Sequence, residues 1–239
     1  MASTGAHTVK AFDEELDQLR GLIAQMGGLA EAAITGSMRA LVERDREAAQ
    51  RIVEDDKKID VLETEVERRA VQIIALRAPM ADDLRAVVAA LKIAGVVERI
   101  GDYGKNIAKR VPVIEENANI EPLSLLPEMA RIVSEMVHNV LDAFAARDAH
   151  KAVQVCERDR AVDDFYNSIF RTLLTHMMEN THNITPATHL LFVAKNLERI
   201  GDHATNVAEM VYFAATGQHI AERQRGDDTA YMAADRAGE

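Results

Sequence analysis

Leu91-Lys-Ile-Ala-Gly-Val-Val-Glu-Arg-Ile-Gly-Asp-Tyr-Gly-Lys-Asn-Ile-Ala108 realigns on Leu191-Phe-Val-Ala-Lys-Asn-Leu-Glu-Arg-Ile-Gly-Asp-His-Ala-Thr-Asn-Val-Ala208 at an offset of 100. Self-similarity at a fixed distance marks a duplicated structural unit. Two weaker matches flank it at an offset of 103: Leu41-Val-Glu-Arg-Asp45 with Phe144-Ala-Ala-Arg-Asp148, and Asp56-x3-Asp60 with Asp159-x3-Asp163. The change from 103 to 100 fits a three-residue length difference in a loop between a second and a third helix. The chain therefore reads as two copies of a three-helix unit.

Apolar residues recur at spacings of three and four through nearly all of the chain, with breaks near Asp45, Ala78–Pro79, Pro112–Pro122, Asp148 and Asn183–Pro186. Six helices follow, at 8–44, 46–77, 80–111, 123–147, 149–180 and 185–216. At 1.5 Å per residue these are roughly 40 to 55 Å long, which suits a bundle. The expected organisation is a first three-helix bundle at 8–112, a linker at 113–122, a second bundle at 123–216 and a polar tail at 217–239. The sequence has only 5 Pro, 12 Gly and no Trp, and 48% of its residues are apolar. That mix favours helices over strands and supplies a core, so the class is all-α.

The formal net charge of −11 disfavours nucleic acid and anionic lipid, and no local basic patch opposes it. One cysteine, Cys156, excludes an intrachain disulfide framework and is expected to be a buried, inert thiol. No apolar run approaches the ~20 residues of a membrane span; Ala86 to Val97 covers 12 residues and contains Lys92. With Asp13, Glu14 and Glu15 near the N-terminus in place of a signal-peptide pattern, the expected location is the cytoplasm.

Glu98, Asp102 and Asn106 are spaced i, i+4, i+8, so each advances only ~40° and the three form a ladder on one helix face. Glu198, Asp202 and Asn206 repeat it. The stripe Val97, Ile100, Gly104, Ile107 and Val111 lies close to the opposite side and should be core. Stacked like charges destabilise a helix by a few tenths of a kcal/mol unless a cation is near. Asp56 with Asp60, and Asp159 with Asp163, are placed on the second helices to come beside the ladders. Oxygen-only clusters suit hard or borderline ions such as Mg²⁺, Mn²⁺ or iron. The competing reading is a solvated acidic face whose charge is offset by Arg99, Lys105 and Arg199. Gly101 and Gly201, in mid-helix, suggest close approach of another backbone.

Glu135-x2-His138 and Glu179-x2-His182 match the Glu-x2-His motif of di-iron helical bundles and keep open an alternative, a carboxylate-bridged metalloenzyme acting as an oxidase or a phosphate-ester hydrolase. Such sites need further inward glutamates, and no Gly-rich phosphate loop or nucleophile elbow is present. The preferred expectation is a protein without catalytic residues. Leu84, Val88 and Leu91 share an angular stripe with Glu98 and serve either partner binding or packing on the first helix. A long helical face could also support a homodimer.

Arg77-Ala-Pro-Met-Ala-Asp-Asp-Leu-Arg85, followed by Glu98-Arg-Ile-Gly-Asp102 and Glu198-Arg-Ile-Gly-Asp202, resembles the PhoU family over residues 8 to 216. The resemblance implies two tandem three-helix bundles carrying metal ions, of iron, zinc, manganese or magnesium, in multinuclear clusters. The implied ligands are Glu98, Asp102, Glu198 and Asp202, then Asp56, Asp60, Asp159 and Asp163, with Asn106 and Asn206 as further candidates. It also implies a negative regulator of phosphate uptake and phosphate-starvation signalling. Its partners would be the ATPase subunit of the phosphate-specific ABC transporter and a phosphate-sensing histidine kinase, met at the inner face of the membrane.

Overall fold

The structure, a computed structural model, describes residues 4–115 and 124–220. Most of the expected linker and the tail from 221 on lie outside the described residues. Among those described, the elements are helical throughout: α1 (Thr4–Glu43), α2 (Arg46–Asp55), α3 (Lys57–Arg77), α4 (Asp82–Ala108), α5 (Val111–Glu115), α6 (Leu125–Ala146), α7 (Ala149–Glu179) and α8 (Ile184–Thr216). Five expected helices are present with bounds shifted by up to four residues. The sixth, at 46–77, is divided into α2 and α3.

The division falls on Asp56, which keeps helical dihedrals (φ −53°, ψ −36°). Its carbonyl is shared, accepting from Ile59 N, three residues along, at 2.9 Å and from Asp60 N, four along, at 3.4 Å. The shorter of the two bonds tightens the helix locally. Past Ala108 the chain makes one further short helix, α5, instead of extending α4 to 111.

The weak outer match of the repeat has a local physical cause. Arg44 and Arg147 each end a helix with positive φ, 57° and 53°. The next residue, Asp45 or Asp148, is extended and caps the following helix: Asp45 accepts from Ala48 N at 2.8 Å, and Asp148 from His150 N at 2.9 Å and Lys151 N at 3.0 Å. A left-handed arginine followed by an aspartate N-cap is a complete sharp turn, written twice.

α1 buries Leu16, Leu19, Ile23, Met26, Ala30, Ile34, Met38 and Leu41 at steps of three and four, against α3 and α4. Val97, Ile100, Gly104, Ile107 and Val111 are buried as the periodicity requires. At Gly104 a Cβ would lie 2.9 Å from Ala33 Cβ and 3.2 Å from Ile34 N, so α4 meets the α1 backbone directly. α6, α7 and α8 form the second unit.

The two units are joined along α4 and α8, and along α1 and α6. Arg110, near the end of α4, lies 3.1 Å from His189 Nδ1 and stacks its guanidinium 4.3 Å from the Phe192 ring, both early in α8. At the other end, Arg85 lies against Gly217, just past α8. The two helices are therefore antiparallel. No helix among the described residues is long and apolar enough to cross a membrane.

Candidate functional site

In the first unit, Asp56 at the α2–α3 junction is 8% exposed and points at α4. Gly101 makes room: a Cβ there would lie 2.5 Å from Ile59 Cδ1 and 3.8 Å from Asp56 Oδ1. Lys105 Nζ donates to both Asp56 Oδ2 and Asp102 Oδ1, linking the two helices. Burial works against its charge, yet the hydrogen bonds to Asp102 and Asp56 prevail and hold its pKa above the ordinary lysine range.

Glu98, half-buried one turn before Asp102, is pushed up to about 7. Burial is the main cause, followed by the charges of Asp102, Glu63, Asp60 and Asp56. The fold thus gathers all four expected residues, Asp56, Asp60, Glu98 and Asp102, into one electrostatic neighbourhood. Glu63 joins them unforeseen; its own pKa is raised by burial, then by Glu67 and Asp60. The signal was present, since Asp56, Asp60 and Glu63 are spaced four and three along α3.

The second unit repeats the close approach. A Cβ on Gly201 would lie 3.1 Å from Asp159 Oδ1 and 3.3 Å from Val162 Cγ1, with Asp159 only 2% exposed. Glu198 and Asp163 are half-buried and Asp202 is exposed. The lysine comes from a different register: Lys195 Nζ sits 2.7 Å from Glu198 Oε1 and 5.0 Å from the Tyr166 ring centroid. The matched first-unit position is Gly95, where a Cβ would meet Glu63 Oε1 at 3.3 Å. So Glu63 with Gly95 in one unit is replaced by Tyr166 with Lys195 in the other. At the position matching Lys105 stands Thr205, whose hydroxyl donates to the Asp202 carbonyl at 2.7 Å.

Between the clusters, Tyr103 and His203 stack across the α4–α8 junction. His203 Nε2 lies 3.3 Å from Tyr103 Oη, and Asn206 Nδ2 lies 3.4 Å from His203 Nδ1. Asn106 is half-buried on α4. Burial, then the charge of Arg99, depresses the His203 pKa against the opposing pull of Asp202.

Among the described residues, no three His, Cys, Asp or Glu side chains converge closely enough to hold a metal ion as they stand. What fits a hard cation is the donor set: carboxylates gathered closely enough that their charges add to burial in pushing Glu98 up to about 7. The di-iron alternative does not fit. Glu135 and His138 are exposed on α6, Glu135 paired with Arg131 and His138 lying 3.4 Å from Glu31 and 3.7 Å from Asp142. Glu179 ends α7 with His176 Nδ1 3.7 Å away, and His182, in a single 3₁₀ turn, is exposed beside Asn180. Neither pair faces a bundle interior, which that chemistry requires. Cys156 is half-buried against the core, less enclosed than expected. Leu84 is 38% exposed, while Val88 and Leu91 are half-buried.

The PhoU domain matches the chain twice, at residues 23–111 and 126–211. A phosphate-specific transport system accessory protein PhoU homolog of Zymomonas mobilis is 60% identical over 227 residues, covering 95% of this chain and 96% of its own. A homolog of the same description from Rhizobium meliloti is 47% identical over 229 residues, covering 95% and 97%. The crystal structure of PhoU from Pseudomonas aeruginosa superposes with a TM-score of 0.83 at 35% identity, over 87% of this chain and 100% of that one.

Proposed function

Because this chain belongs to the PhoU domain family, we propose that it is an accessory protein of phosphate uptake, acting as a negative regulator and adaptor rather than as an enzyme. The observation that carries the reading is the agreement of the two domain matches with the two helical units, at 60% identity to a phosphate transport accessory protein along nearly its full length. When phosphate is plentiful the chain restrains the phosphate-specific ABC transporter through its ATPase subunit and keeps a phosphate-sensing histidine kinase quiet. It works in the cytoplasm, at the inner face of the membrane, through these partners.

The acidic clusters are read as its metal-binding part. Glu98, Asp102, Glu198 and Asp202, with Asp56, Asp60, Asp159 and Asp163 and the candidates Asn106 and Asn206, would hold hard or borderline ions. A bound ion would neutralise carboxylates that otherwise repel one another and so tie the second long helix of each unit to the third.

The test is removal of the chain from its host, followed by uptake of labelled phosphate and expression of a phosphate-repressed phosphatase at high phosphate. Uptake and expression that escape repression, and return to it when the chain is restored, support the regulator. Repression that persists without the chain would sink it.

A further inference from the structure

We propose that Lys105 is the resident cation of the first acidic cluster, holding the space between Asp56 and Asp102 against metal ions and thereby setting how tightly this unit takes them. The inference rests on the metal reading above. Its ground is the contact itself: one ammonium donates to two carboxylates, Asp56 from the α2–α3 junction and Asp102 from α4. That is the bridge a small cation would make. A lysine ammonium is a compact point charge able to serve several oxygens at once.

Enclosure adds weight. The Asp56 side chain is 7% exposed and that of Lys105 20%, so the charges see little water and their attraction is strong. The buried Asp56 needs a cation beside it, and Lys105 supplies one from within the chain. An ion entering between Asp56 and Asp102 would have to displace the ammonium and break two charge-assisted hydrogen bonds. An ion held by Asp60, Glu63 and Glu98 would meet its repulsion. The second unit has no lysine at this register, because Thr205 fills the position and spends its hydroxyl on its own helix. Its lysine, Lys195, acts from the other end of the ladder on Glu198.

The test uses the full chain, stripped of metal and titrated calorimetrically with Mn²⁺, with bound metal counted by elemental mass spectrometry and helicity followed by circular dichroism. Lys105→Thr gives the first unit the residue of the second, and Lys105→Gln is a milder change. Each should tighten first-unit Mn²⁺ binding by about tenfold or more, as loss of a competing charge-assisted pair implies. The gain should vanish when Glu98→Ala and Asp102→Ala are added. Mn²⁺ should also raise the melting temperature of the lysine variants more than that of the parent, which loss of a merely structural contact would not produce. In the parent chain, Glu198→Ala with Asp202→Ala should remove the tighter sites and Glu98→Ala with Asp102→Ala the weaker ones. Equal affinity of the two units, or lysine variants that bind Mn²⁺ no better than the parent, would overturn the role of Lys105 and leave the metal reading standing. No Mn²⁺ binding by the parent or any variant would overturn both.

Discussion

Tyr103 and His203 hold the same position in the two halves of the repeat and lie on each other, ring centroids 5.4 Å apart and planes inclined by 14°. A contact between a residue and its own repeat equivalent is the mark of an isologous interface, here formed inside one chain. An internal two-fold axis therefore passes between these rings, and α4 and α8 run antiparallel about it. The Arg199 guanidinium, 5.9 Å from the Tyr103 ring centroid, adds positive charge beside a histidine that burial already keeps neutral.

That pair makes the fold acid-sensitive in a defined sense. The His203 pKa is depressed below 6.5, so the unfolded chain binds the proton more readily than the folded one. Stability contributed by the neutral ring is whole above about pH 6.5 and is lost as the pH falls toward the folded value. His203→Phe keeps a ring against Tyr103 and should flatten this loss between pH 7.5 and 5.5, read as urea midpoints. Parallel pH slopes for variant and parent would contradict the assignment.

Glu98 acts in the opposite direction. Its pKa, raised from 4.5 to about 7, means that the folded state holds the proton more tightly, so stability is greatest below pH 4.5 and declines as the pH rises through 7. In metal-free protein, Glu98→Gln should therefore stabilise at pH 8, by about 1–2 kcal/mol once solvent screening of a half-buried group is allowed for. Chemical denaturation at pH 8 and pH 5 reads the difference, and a variant less stable than the parent at pH 8 would be the contrary result.

Gly104 and Gly28 should respond oppositely to the same substitution. Gly104→Ala drives a methyl onto Ala33 and the α1 backbone, an overpacking expected to cost about 1–3 kcal/mol. Gly28→Ala meets nothing within 4 Å and should stabilise α1 by roughly 0.5–1 kcal/mol through helix propensity. Urea denaturation of both variants checks the pair.

Ala81, before α4, has φ 47° and ψ −110°, a conformation that glycine adopts without strain and alanine does not. Ala81→Gly should raise stability by about 1 kcal/mol, the strain relieved less the extra backbone entropy of glycine in the unfolded chain. A fall in the melting temperature would mean that the surrounding structure favours the alanine methyl.

The repeated Glu-Arg-Ile-Gly-Asp was enough to find two units, their third helices and the acidic positions on them. Alignment rewards identity, and so it concealed the places where the units differ: Gly95 against Lys195, Glu63 against Tyr166, Lys105 against Thr205. The tightening at Asp56 was illegible because its dihedrals remain helical and its carbonyl is merely shared between two successive amides. The Tyr103–His203 contact depends on how two bundles dock, which no spacing within either bundle encodes.

The junction of α4 with α8 makes the molecule a dimer that cannot dissociate. In a true homodimer every substitution appears twice, so a lysine useful in one acidic cluster would be imposed on the other. Tethering frees each copy to diverge while effective concentration keeps the halves together at any dilution. Lys105 on one side and Thr205 on the other are a difference that a pair of identical chains could not carry.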